Sequence, residues 1–188
     1  MSEKTYLSAQ DLLIDSFSLG AKVFNDGFKP NYIIAIWRGG TPIGVAVQEI
    51  LQYQGIESDH IAIRTSSYSG IDGRAKEVRV HGMNYLIKNI RAEDRLLIVD
   101  DVFDTGLTIQ AVINHLKEKT RLNAPSEIRV AVPYFKPTRN KTDMVPDYYL
   151  HATESWLKYP HSLEGLTEEE IAKHRPELYE IIKGAKKP

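Results

Sequence analysis

Residues 96–109 read LLIVDDVFDTGLTI, and this stretch constrains the fold more than any other. Four aliphatic residues with no polar break make a strand with a buried setting, as inside a layered sheet. The strand runs straight into Asp100 and Asp101, and Asp104 follows in a turn with Thr105, Gly106, Leu107 and Thr108. Behind the turn, Ile109, Val112, Ile113 and Leu116 recur at i, i+3, i+4 and i+7, the apolar stripe of a helix packed on that sheet. Clustered carboxylates at the end of a buried strand are costly unless something positive or hydroxyl-rich meets them.

The same strand-then-helix rhythm runs through the chain. YIIAIW (32–37) reads as a buried strand, ending in RGGTP, with GVAVQEILQ as the helix behind it. HIAIRTSSY (60–68) is the next strand, SGIDGRAK (69–76) a polar, glycine-rich loop, and EVRVHG (77–82) its returning strand. EIRVAVPYF (127–135) and DYYLHA (147–152) add two more. Before them all, Leu13, Phe17, Ala21 and Phe24 share one face of a helix that Asn25, Asp26 and Gly27 break. Near the C-terminus Thr167 and Glu170 form a capping box, Pro176 suits a helix's first turn and Gly184 its stop. Such alternation predicts an α/β fold with a mostly parallel central sheet flanked by helices, in which ligands bind beyond the carboxyl ends of the strands. The RGG turn, the TSSY segment, the aspartate cluster and Lys136 all follow strand ends.

A length of 188 residues suits one domain with a sizeable core. The formal net charge of −1 supplies no basic field for nucleic acid or a membrane surface, and no apolar run approaches the ~18 residues of a span. With no cysteine, the chain has no disulfide, thiolate metal site or cysteine nucleophile, which fits a cytoplasmic location. Neither GxxxxGK[ST] nor GxGxxG is present. The free amides of the 104–108 turn, two threonine hydroxyls and the positive end of the helix make an anion site suited to phosphate. Asp100 and Asp101 suit ribose hydroxyls or Mg²⁺, a hard ion that keeps part of its water shell. A phosphate cradle beside a diol or metal clamp describes a ribose 5-phosphate site.

At this point three motifs resemble a known family in order and spacing. LLIVDDVFDTGLTI resembles the phosphoribosyl-pyrophosphate (PRPP) signature of the type I phosphoribosyltransferases. IIAIWRGGTPIG resembles their pyrophosphate loop, and TSSY the start of their catalytic lid. The resemblance runs from about residue 30 to 160. It implies a single phosphoribosyltransferase domain over 1–188 with its core at about 30–150. A small base-binding hood would come from about 136–165 with the N-terminal segment, followed by a helical tail at 166–188.

The resemblance also implies roles residue by residue. Arg38, Gly39 and Gly40 would hold pyrophosphate, with a cis peptide at Trp37–Arg38. Thr105, Gly106, Leu107 and Thr108 would cradle the 5′-phosphate, and Asp100 and Asp101 would meet the ribose and Mg²⁺. Asp104, just before Thr-Gly, marks the 6-oxopurine subgroup, where this carboxylate handles the proton at purine N7. Lys136 would bond the 6-oxygen, Trp156 would stack on the base, and Leu157 would offer backbone groups to it. Ser67 and Tyr68 belong to the lid that excludes water from the reaction.

The implied activity is Mg²⁺-dependent purine salvage. The 5-phosphoribosyl group of PRPP passes to N9 of hypoxanthine, guanine or xanthine, giving a nucleoside monophosphate and pyrophosphate. A homodimer or homotetramer is implied, with no nucleic-acid or membrane partner. Two departures stand out: Leu107 occupies a position often held by lysine or glycine, and no acid follows Pro160 before Glu164. Rival readings are an enzyme for another base and a non-catalytic regulator that binds PRPP or nucleotides. A response-regulator receiver domain also has an acidic pair after a strand, but after its first one, whereas the strands at 32–37 and 60–68 already precede Asp100 here. Among the plainer readings, Lys136 is a surface charge, Trp156 a core filler, and Trp37 packing.

Overall fold

The computed structural model describes residues 4–68 and 77–185, so the loop read at 69–76, and the side chains of Ser67 and Tyr68, lie outside the described residues. In chain order the first elements are β1 (Lys4–Tyr6), α1 (Ala9–Asn25), β2 (Tyr32–Trp37), α2 (Gly40–Tyr53), β3 (Asp59–Tyr68) and β4 (Glu77–His81). Next come α3 (Asn84–Asn89), β5 (Arg95–Val99), the two-residue β6 (Val102–Phe103), α4 (Leu107–Thr120) and β7 (Glu127–Phe135). The chain closes with β8 (Tyr148–Ala152), β9 (Trp156–Lys158), α5 (Glu168–His174) and α6 (Pro176–Gly184). They fall into two compact units, Gln10–Glu154 and the smaller Met1–Ala9 with Ser155–Pro188.

The larger unit is a seven-stranded sheet ordered β4-β3-β2-β5-β7, with β8 on the outer side of β7 and β6 continuing the line of β5. Every pairing is parallel except β3 with β4, whose antiparallel register sets Arg64 opposite His81. Both faces are covered, which is why the strands read as unbroken apolar runs. On one face Ile34, Ile36, Leu96, Ile98, Val130 and Val132 meet Leu86 of α3 and Ile109, Val112 and Leu116 of α4. On the other face Ile33 and Ala35 of β2 are buried, as are Ile43 and Val47 of α2. Gly44 lets α2 settle on the sheet, since a Cβ there would stand 2.6 Å from that of Ala35.

Chain order against strand order locates the ligand-binding crevice. From β2 the chain moves outward to β3, then returns past β2 to β5 and continues outward through β7. The direction of winding reverses between β2 and β5, and in open α/β sheets the crevice beyond the carboxyl ends opens at such a reversal. Those two ends carry Arg38-Gly39-Gly40 and Asp100-Asp101.

In the smaller unit β1 lies parallel to β9, with Thr5 opposite Leu157. Thr167 caps α5 by accepting from the Glu170 amide at 3.2 Å, and Glu170 returns the bond from the Thr167 amide at 2.9 Å. Lys4 pairs with Glu170, and Tyr6 stacks on His174 with ring centroids 3.9 Å apart. The Arg175 guanidinium donates to the carbonyls of Tyr159 (2.6 Å) and Ser162 (2.7 Å), pinning the connection after β9. Among the described residues no helix is long and apolar enough to cross a membrane.

Candidate functional site

A cleft of about 280 Å³ opens between the ends of β2 and β5. Trp37, Arg38 and Gly39 line one side; Asp100, Asp101, Asp104, Thr105, Gly106 and Thr108 line the other. The two sides touch closely. A Cβ on Gly39 would fall 2.0 Å from Asp101 Oδ2, and one on Gly40 would fall 2.6 Å from the Val99 carbonyl oxygen. Only glycines let the turn after β2 press this hard on the acidic pair. The Trp37–Arg38 peptide that enters the turn is cis.

Two helices begin at this crevice and neither carries a side-chain cap. The residue before α2 is Gly39, and the residue before α4 is Gly106, at φ +77°. Uncapped first-turn amides at the positive end of a helix attract anions. Thr105 leans toward the opening of α4, its Oγ1 being 3.5 Å from the Leu107 amide, too far for a strong bond that would occupy it. Gly106 cannot be exchanged without strain: a Cβ would stand 2.6 Å from Thr142 Oγ1 and 2.8 Å from the Phe103 ring.

Between the two helix starts sits the acidic pair. Asp100 is only 9% exposed, and its Oδ1 accepts from the Asp101 amide at 3.0 Å. Burial pushes its carboxyl well above the ordinary range, and the charge of Asp101 pushes the same way. Burial also raises Asp101, to about 6, against hydrogen bonds and the field of Lys136 that favour its charged form. Two raised carboxyls facing a crevice want a cation or hydroxyl donors. Among the described residues no group of three or more His, Asp or Glu side chains forms a closed metal cage. A two-carboxylate, oxygen-only donor set fits Mg²⁺, which is ordinarily held by one or two carboxylates with water and substrate phosphates.

Asp104 stands next to the segment that follows β7. The Lys136 amide donates to the Phe103 carbonyl at 2.9 Å and the Lys141 amide to the Thr105 carbonyl at 3.0 Å, bracketing Asp104 along its backbone. Lys136, 6% exposed, holds its Nζ 3.6 Å from Asp104 Oδ2. Arg139 Nε lies 2.7 Å from Oδ1, as an ion pair that is not aligned as a hydrogen bond. Asn140 shapes the rest of the segment, its Oδ1 accepting from the amide and hydroxyl of Thr142, both at 2.9 Å.

The crevice therefore brings together Arg38, Gly39, Asp100, Asp101, Asp104, Thr105, Gly106 and Thr108, all singled out in the sequence. Gly40 and Leu107 lie just outside it, as the first residues of α2 and α4. Lys136 reaches it through Asp104 rather than by lining it, and its burial sets aside the surface-charge reading. Trp156 and Leu157 sit on β9 in the smaller unit, Trp156 being 53% exposed and so no core filler. Trp37, read from the sequence as packing, is 54% exposed and lines the cleft, because its side chain follows the last core residue of β2. Sequence reading passed over Arg139. The only signal was a second cation three residues after Lys136 in YFKPTRN.

Comparisons with known proteins give the family and the fold. A family model described as the phosphoribosyl transferase domain matches residues 2–162. A purine phosphoribosyltransferase from Pyrococcus horikoshii is 29% identical, with 87% of this chain and 97% of that one covered and a TM-score of 0.66. A hypothetical protein from Neisseria gonorrhoeae with bound ppGpp is 22% identical over 96% of this chain and 98% of that one, TM-score 0.73. The Helicobacter pylori xanthine-guanine-hypoxanthine phosphoribosyltransferase is 19% identical, with 84% and 92% covered and a TM-score of 0.64. The last two likenesses concern the fold. A search of curated protein sequences returned no match.

Proposed function

This chain belongs to the phosphoribosyltransferase family, and from that premise we propose that it transfers the 5-phosphoribosyl group of PRPP to N9 of a 6-oxopurine. Hypoxanthine, guanine and xanthine are the candidate bases, and the products are the nucleoside monophosphate and pyrophosphate. The observation that carries the choice is Asp104, two residues before Gly106 at the uncapped start of α4 and 3.6 Å from the buried Lys136 amine. An acceptor beside a donor matches the N7–H and O6 edge that a 6-oxopurine presents. A 6-aminopurine would set its own amino donor against the lysine.

In this reading the amides opening α4, with Thr105 and Thr108, hold the 5′-phosphate, while Arg38 and the amides of Gly39 and Gly40 hold pyrophosphate. Asp100 and Asp101 accept from ribose hydroxyls and would hold Mg²⁺, whose chemistry when bound is to neutralise the departing pyrophosphate. The purine N9 lone pair forms a bond to C1′ as the C1′–O bond to pyrophosphate breaks. Asp104 takes the N7 proton that the base sheds. Positioning supplies most of the acceleration, since two fixed reactants meet without losing further freedom. Trp156 stacks on the base, Leu157 offers it backbone groups, and Ser67 and Tyr68 belong to the covering lid. A cytoplasmic homodimer or homotetramer goes with this reading, tested by light scattering and fractionation.

The test is a panel of bases with PRPP and Mg²⁺: hypoxanthine, guanine, xanthine, adenine, uracil and orotate, read by pyrophosphate release. Release with one or more 6-oxopurines is expected. Release with adenine, uracil or orotate alone would reassign the enzyme to another base, and binding of PRPP with no release would indicate a regulator.

A further inference from the structure

Lys136 and Asp104 pose a problem that neither residue solves. Lys136 is a buried cation with an acidic side chain 3.6 Å away, and in a crevice of low dielectric the two should draw together. A closed ion pair would use up both the donor and the acceptor that the base edge requires. The structure keeps them apart. Arg139 approaches the other oxygen, Oδ1, to 2.7 Å, and that oxygen is buried with no hydrogen bond of its own. The guanidinium sits on a short helical turn, Pro137–Arg139, whose ends are tied down. The Arg139 amide donates to the Lys136 carbonyl at 3.2 Å, and the Thr138 amide to Glu154 Oε1 at 3.1 Å.

Resting on the proposed reaction, we infer that Arg139 is a positioning residue. It draws the Asp104 carboxylate away from Lys136, so that Oδ2 and the Lys136 ammonium both stay open to the purine edge. Arg139 is itself 52% exposed on its side chain, so it can act without being part of the core. Its work is done through Asp104. The guanidinium need not touch PRPP, because its contact is to the far side of the carboxylate.

A kinetic double-mutant cycle tests this. Arg139→Ala should lower kcat with the preferred 6-oxopurine by about tenfold to a hundredfold, the range for a side chain coupled within one charge network. The KM for PRPP should stay within about twofold of wild type, because uniform substrate binding is untouched. Arg139→Lys, which keeps a cation near Oδ1, should recover part of the loss. In an Asp104→Asn background the same Arg139→Ala change should cost less than about threefold more, since residues that act as one unit are not additive. Full multiplication of the two losses would overturn the inference, as would a rise in the PRPP KM matching the fall in kcat. Wild-type turnover by Arg139→Ala beside a crippled Asp104→Asn would overturn the inference alone. Wild-type turnover by Asp104→Asn would overturn the acid–base reading, and the role of Arg139 with it. Thermal midpoints matching wild type in each variant separate these outcomes from misfolding.

Discussion

Replacing Gly106 by alanine isolates what the phosphate-side turn asks of its backbone. Two costs act at this position. At φ +77° a Cβ meets the steric penalty of the left-handed region, about 1–2 kcal/mol. The new methyl would also stand 2.6 Å from Thr142 Oγ1 and 2.8 and 2.9 Å from two Phe103 ring carbons. Neither neighbour can yield easily: Thr142 is tied to Asn140 through its amide and hydroxyl, and Phe103 is 1% exposed with its ring edge-on to Phe135. Such overpacking adds about 1–3 kcal/mol, for a total of roughly 2–5 kcal/mol. Gly27 supplies the control, for it has φ +78° and a methyl added there would meet nothing within 4 Å, so Gly27→Ala carries the backbone term alone. Urea unfolding of wild type and both variants measures the difference, and PRPP turnover should fall only in Gly106→Ala, where the opening of α4 shifts. Equal destabilisation by the two substitutions would refute the claim that the turn is packed to the limit around Gly106.

Three further outcomes follow from the geometry. Lys136→Ala should raise the KM for the base by about ten- to a hundredfold, the worth of one hydrogen bond to a charged group, with PRPP affinity nearly intact; equal loss of both would contradict the assignment. Asp101 has a folded-state pKa raised to about 6 from an unfolded value of about 4, so its contribution to ligand-free stability is full below about pH 4 and is lost as pH rises through 6. Asp101→Asn does not titrate, so its stability relative to wild type should grow by about 1–3 kcal/mol between pH 4 and 7 while turnover collapses; urea midpoints that run parallel at the two pH values would contradict this. Thr167→Ala removes the hydroxyl half of the α5 capping box, leaving the residue-167 amide on Glu170, and should cost about 0.5–2 kcal/mol, seen as faster hydrogen exchange at the Glu170 amide, and unchanged exchange would refute it.

The parts of the molecule that were legible in the sequence are those in which local pattern and burial agree. The run 96–109 declared its strand, its turn and its helix because all three features lie within one βα unit, and β2 with its glycine turn did the same. The capping box at Thr167 and Glu170 is a four-residue signal and appears as read. Pairings between distant short segments were not legible. Strands of three residues, such as β1 and β9, carry no period, and they find each other across some 150 positions of sequence. The six residues of α3 are too few to show a helical stripe. Arg139 escaped notice because its significance depends on residues 136–142 running beside 103–105, a placement made by β7 and β6 and by no local motif.

The most direct measurement is a crystal structure of the protein with a 6-oxopurine nucleoside monophosphate. The 5′-phosphate should lie within hydrogen-bond distance of the amides at the start of α4 and of Thr105 and Thr108. The ribose hydroxyls should meet Asp100 and Asp101, and the purine should turn N7 toward Asp104 and O6 toward Lys136. A phosphate bound anywhere but at the opening of α4, or a base edge turned away from Asp104, would contradict the assignment.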